Sequence, residues 1–172
     1  MNTQLNKLHR LALFTLLLLS WAGTSALESD KDQILVYSND GNSKTRIEGD
    51  VRIYEMVNNV KVTQGTLELS GDEAIFEYDA NTGELIRVTV HGSPAEYQQQ
   101  LDTDEGTIIG SSDTILFYTD EIDGEAIVEL FGNAKIRSPD SSMNCVEMIV
   151  YNIDQNLINT TGRCDGVFNA PQ

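Results

Sequence analysis

The stretch Val60-Lys61-Val62-Thr63-Gln64-Gly65-Thr66-Leu67-Glu68-Leu69-Ser70-Gly71-Asp72-Glu73-Ala74-Ile75-Phe76-Glu77-Tyr78 decides the fold class. Apolar and polar residues alternate along it with period two, the mark of a strand with one buried face. Midway the alternation changes phase. Leu67 and Leu69 are odd-numbered, Ala74, Phe76 and Tyr78 are even, and Ser70-Gly71 lies between them. Glycine at a phase change suggests a bulge or bend, here one that carries a strand from one sheet into another. Two facing sheets with apolar inner surfaces follow.

The same texture extends outward from this stretch. Strand-like segments occupy residues 33–37, 51–54, 60–63, 66–69, 74–78, 85–90, 95–99, 107–109, 114–118, 126–131, 134–137, 143–150 and 157–160. Turn residues separate them: Asn58-Asn59, Asn81-Thr82-Gly83, Gly92-Ser93-Pro94, Asp104-Glu105-Gly106, Asp123-Gly124, Gly132-Asn133 and Ser138-Pro139-Asp140. No segment beyond the N-terminal 26 residues keeps a helical period over three turns. Many short strands at this spacing predict an all-β sandwich, jellyroll or barrel. With three prolines in the chain and no Ser- or Gly-rich linker, no internal domain boundary is expected.

An internal repeat sharpens the expectation. A turn leading into alternating residues recurs at Asn59-Val60-Lys61-Val62, Pro94-Ala95-Glu96-Tyr97 and Asn133-Ala134-Lys135-Ile136. Each is followed by a second phrase, at Gly71-Asp72-Glu73-Ala74, Ser112-Asp113-Thr114-Ile115 and Cys145-Val146-Glu147-Met148. The step from first to second phrase is 11 residues from 60 to 71 and again from 134 to 145; from 95 to 112 it is 17. Such spacing predicts one supersecondary unit stacked several times, each burying its apolar face on its neighbours.

The N-terminal 26 residues read as a secretory leader. Lys7 and Arg10 precede an apolar run over residues 11–22, and Thr24-Ser25-Ala26 supplies small residues for cleavage. The run is shorter than the roughly 20 residues a spanning helix requires; the alternatives are an uncleaved anchor or a buried helix. Cleavage would leave residues 27–172 as one domain of ordinary size. The leader takes two basic residues and no acid, so nine basic residues face 27 acidic ones in what remains. That balance excludes nucleic acid as a partner, because phosphates need clustered Lys and Arg, and argues against a basic patch on anionic lipid.

Cys145 and Cys164 are the two cysteines. In an oxidising compartment a disulfide is the default. No metal site is expected, since one histidine, His91, remains after the leader and it is distant from both cysteines in sequence. The midpoint of 145 and 164 falls within the polar turn at residues 152–156. Antiparallel register about that turn sets 151 opposite 158, 149 opposite 160 and 145 opposite 164.

Val60-Lys61-Val62-Thr63-Gln64-Gly65-Thr66 resembles the signature of the OstA-like domain family: Gly-Asn-Val, alternating residues, then Gln-Gly-Thr. Gly92-Ser93-Pro94-Ala95 and Gly132-Asn133-Ala134 resemble its later repeats, and the likeness runs from Ile34 to Asn169. Asn58 stands where the family usually has glycine. The resemblance implies a twisted β-jellyroll, open at both ends, that stacks into a bridge carrying lipopolysaccharide between inner and outer membranes. It implies acyl chains between the sheets, with Ile34, Val36, Tyr97 and Phe117 as lining residues (or Tyr118 in place of Phe117). It also implies LptC-like inner-membrane and LptD-like outer-membrane partners and head-to-tail self-association in the periplasm. For any one of these apolar side chains, a place in the core alone is the alternative role.

The residues offer little to an enzyme, and no catalytic residue or cofactor is expected. His91 has no G-x-S-x-G nucleophile to serve. Asp102-Thr103-Asp104-Glu105-Gly106 superficially resembles a calcium loop, but glycine falls at the fifth place and position twelve is Asp113 rather than Glu. Two other functions fit the pattern: a membrane-anchored LptC-type jellyroll, if the leader is retained, and a structural β-repeat protein without a lipid ligand.

Overall fold

A computed structural model describes residues 30–101 and 106–169; the leader and most of the calcium-like loop lie outside the described residues. The described chain forms twelve strands: β1 (Val36–Ser38), β2 (Ser43–Glu48), β3 (Val51–Gln64), β4 (Leu67–Asp79), β5 (Leu85–Gln100), β6 (Thr107–Thr119), β7 (Ala126–Phe131), β8 (Ala134–Arg137), β9 (Ser141–Cys145), β10 (Met148–Asn152), β11 (Leu157–Thr161) and β12 (Cys164–Phe168). All pairings are antiparallel. The sheet does not close on itself, and the architecture is the open jellyroll expected from the sequence.

Two expected turns are bulges within unbroken strands. Asn58-Asn59 interrupts β3, and Gly92-Ser93-Pro94 interrupts β5. Both asparagines have positive φ, at 69° and 49°, a conformation their short polar side chains tolerate. The same break recurs at residues 70–73 of β4, at Gly132-Asn133 between β7 and β8, and at residues 146–147 between β9 and β10.

These breaks divide the ladder into two half-sheets. In the first, β2, β3 before its bulge, β4 and β6 after theirs, β5 before its bulge, β7, β10 and β11 stand side by side. In the second stand β1, the other halves of β3 to β6, then β8, β9 and β12. Gly71 sits at the bend of β4, where an added Cβ would lie 2.5 Å from the His91 carbonyl oxygen, so the backbones approach there in a way no side chain allows. The segment read from the sequence as one strand over residues 143–150 is split by this bend into β9 and β10, and the polar strand β2 has no counterpart among the expected strands.

Registers line the apolar residues into rungs, because directly opposed residues share a face. On the first half-sheet one rung runs Met56, Ala74, Val90, Ile115, Leu130, Ile149, and the next runs Tyr54, Phe76, Val88, Phe117, Val128, Tyr151. The facing rung of the second half-sheet is Tyr37, Val62, Leu69, Tyr97, Gly110, Ile136, Met143. Most of these residues belong to one buried cluster. Gly110 has a packing reason: its Cβ would lie 3.0 Å from Leu130 of the facing half-sheet.

Cys145 and Cys164 form a disulfide. The registers are those expected, with 151 opposite 158, 149 opposite 160 and 145 opposite 164. One hairpin thus keeps its register through the bend and is pinned beyond it.

A candidate lipid-binding groove

The two half-sheets are offset, so their ends do not cover each other. Tyr37 of β1 reaches Phe76 of β4, with ring centroids 5.8 Å apart, and Tyr97 of β5 reaches Tyr151 of β10 at 6.3 Å. In both pairs the second half-sheet lies several strands behind the first. At the N-terminal end this leaves Arg52 and Tyr54 of β3 and Tyr78 of β4 only partly covered. There a cavity of about 330 Å³ opens, lined by Tyr37, Arg52, Tyr54, Met56, Phe76 and Tyr78. That is within the range of small-molecule sites, about 300–1,000 Å³. Tyr54 and Tyr78 meet edge to face at 5.7 Å, and burial holds the Tyr78 phenol above its usual range, reinforced by Tyr54 and Tyr37.

At the other end β12 pairs, among the described residues, only with β9. Phe168 shares a face with Cys164 and is largely exposed there. An apolar interior thus runs from the N-terminal cavity to an exposed apolar side chain at the C-terminal edge.

The four expected lining residues fall into two groups. Tyr97 and Phe117 are 2% and 7% exposed and point into the interior. Tyr118, the alternative to Phe117, lies on the outer face, where its hydroxyl donates to Glu129 at 2.8 Å. Ile34 and Val36, by contrast, are 82% and 55% exposed. The register corrects the inward phase expected for this segment: Val36 opposes Thr63, whereas Tyr37 opposes the buried Val62 and Leu35 packs on the core. The inward residues of the N-terminal edge are therefore Leu35 and Tyr37. Sequence reading also missed Arg52, Tyr54 and Tyr78 as a group; their even-numbered alternation with Met56 was the available signal.

The Tyr97 hydroxyl donates to Gln99 Oε1 at 2.9 Å, and Gln99 Nε2 donates to Asp30 Oδ2 at 3.0 Å. Burial raises the Tyr97 phenol well above its ordinary value, with Tyr151 and Asp30 adding to the effect. Ser112 and Asn152 are the other buried polar residues among those described, and among the described residues no cluster of His, Cys, Asp or Glu could hold a metal. No helix among them is long and apolar enough to cross a membrane.

No curated protein matches the chain. Among solved structures it is similar to LptH of Pseudomonas aeruginosa, described as the LptA-homologous periplasmic component of the conserved lipopolysaccharide transport device. The similarity has a TM-score of 0.66 at 23% identity and covers 83% of this chain and 99% of that one; at this identity it supports the jellyroll fold. The family described as "LptA/(LptD N-terminal domain) LPS transport protein" matches residues 36–156. That span runs from the exposed edge strand to the turn between β10 and β11, well over half the chain, and the chain therefore belongs to this family of lipopolysaccharide transport proteins.

Proposed function

We propose that the chain is a periplasmic carrier that binds lipopolysaccharide by its acyl chains between the half-sheets and hands it along a head-to-tail bridge. The observation that carries this reading is the continuous apolar interior that opens into a cavity at its N-terminal end and ends on the exposed Phe168 at the other. Affinity comes from burying hydrocarbon, at about 25 cal/mol per Å². The acidic exterior is a poor receptor for a phosphorylated head group. Among the described residues Arg52 is the one cation lining the N-terminal mouth.

Edge strands supply the means of assembly. Among the described residues β1 and β2 each pair only with β3, and β11 and β12 each have a single neighbour, so both ends present backbone groups unpaired by any described strand, a template for another chain. N- and C-terminal edges differ in sequence, so joining one to the other is heterologous and need not close. The same edges would meet LptC-like and LptD-like partners at the ends of the bridge. Removal of residues 1–26 as a signal peptide belongs to this reading, leaving residues 27–172 as the working domain.

Sedimentation velocity across concentration and salt tests the assembly. Self-association should strengthen as salt rises from low values, because screening over about 8 Å near physiological ionic strength relieves repulsion between acidic protomers. A protein that stays monomeric at high concentration and moderate salt, and whose transport survives proline substitutions in both edges, contradicts the bridge.

A further inference from the structure

The segment 30–33 lies across the long side of the jellyroll, between hairpin tips of the two half-sheets. On the second half-sheet it is held at the turn between β3 and β4. Asp30 is buried, and its carboxylate accepts hydrogen bonds from the Thr66 amide at 2.9 Å, the Thr66 hydroxyl at 2.5 Å and Gln99 Nε2 at 3.0 Å. Gln64 Nε2 donates to the carbonyls of Lys31 and Gln33 at 3.4 and 3.1 Å. Gly65, at φ +60°, leaves the space the carboxylate fills, since a Cβ there would fall 2.1 Å from Asp30 Oδ1. Each residue of Gln64-Gly65-Thr66 therefore serves the segment.

On the first half-sheet the hold is different. Lys31 Nζ pairs with Asp154 Oδ1 at 2.6 Å, at the tip between β10 and β11, where Asp154 Oδ2 also accepts the Ala126 amide at 2.9 Å. The lysine side chain is half exposed. An exposed ion pair of this kind contributes about 0–1 kcal/mol and weakens with salt, whereas the buried, charge-assisted bonds to Asp30 are individually stronger. The Tyr97–Tyr151 contact also joins these two half-sheets.

We propose that residues 30–33 form a strap across the long side of the jellyroll, closing the gap between the hairpin tips, anchored on the second half-sheet by Asp30 and fastened reversibly to the first by Lys31 and Asp154. Acyl chains enter sideways when the Lys31–Asp154 fastening opens; Asp30 stays in place. The strap rests on the lipid-carrying reading above, and its test separates the two. A Lys31→Cys, Asp154→Cys double variant is joined by a short bismaleimide, which spares the native disulfide. Each single-cysteine variant, capped with N-ethylmaleimide, reports the effect of modification alone.

Association of fluorescein-labelled lipopolysaccharide is followed by anisotropy in stopped flow. The cross-linked protein should associate at least tenfold more slowly than the capped single variants. Lys31→Glu, which sets two carboxylates against each other, should associate several-fold faster than the unsubstituted chain. Unchanged association rates in both the cross-linked protein and Lys31→Glu, with binding intact, overturn the strap and leave the carrier. Absence of binding in the unsubstituted chain overturns the carrier and the strap with it.

Discussion

Tyr97 and Tyr151 come from opposite half-sheets and meet with ring planes tilted by 55°, tying the two faces of the groove together at one point. Both phenols are held neutral by burial first. Tyr151 is pushed up to about 12, with the Asp154 charge adding to it, and Tyr97 is displaced well above its ordinary value. In the unfolded chain both would ionise near 10. The stability they contribute is therefore complete below about pH 10 and is lost as pH rises through the folded values. Absorbance titration of the six tyrosines should show Tyr78, Tyr97, Tyr118 and Tyr151 ionising above the usual range, and of these the buried Tyr97 and Tyr151 only as the fold is lost. Six tyrosines titrating near pH 10 in a folded protein would contradict this packing.

Tyr97→Phe keeps the ring and removes the hydroxyl, leaving Gln99 Oε1 without its buried donor. An unsatisfied buried acceptor costs about 1–3 kcal/mol. Urea denaturation should show that loss, while Tyr118→Phe, whose partner Glu129 lies on the outer face, should cost less.

The disulfide closes the hairpin that carries the C-terminal edge. Replacing both Cys145 and Cys164 by serine should lower stability by about 3 kcal/mol on the loop-closure argument. Proteolysis of the double variant should begin in β12. A variant as stable and as protease-resistant as the parent would show that the pairing of β9 with β12 holds without the bond.

Gly71→Ala tests the bend. Its new methyl meets backbone, the His91 carbonyl, rather than a movable side chain. Overpacking of this kind costs about 1–3 kcal/mol, and the midpoint of urea unfolding should fall accordingly.

Much of this architecture was legible in residues 60–78, because alternation reports a buried face and a change of phase reports a bend. The hairpin register was legible too, since a polar turn at residues 152–156 leaves one way to oppose Cys145 and Cys164. Asn58-Asn59 misled: asparagines at positive φ serve tight turns and bulges alike, and local sequence does not say whether the chain reverses. β2 escaped because it is exposed almost throughout and so has no apolar period to detect. Ile34 and Val36 illustrate a third limit. In residues 34–37, Ile-Leu-Val-Tyr, every residue is apolar or aromatic, so alternation cannot choose the inward pair; pairing with β3 chooses Leu35 and Tyr37. The offset that opens the N-terminal mouth is a tertiary relation between half-sheets, and no local pattern encodes it.

Photoreactive residues placed one at a time along the inner and outer faces, challenged with lipopolysaccharide in the exported protein, test the central claim most directly. Crosslinks are expected at Tyr37, Tyr54, Phe76, Tyr97 and Phe117. Ile34 and Val36, at the edge of the same mouth, should label more weakly, and Glu68 and Glu77 on the outer face should not label. Equal labelling of inner and outer positions, or labelling confined to the outer face, would contradict a groove between the half-sheets.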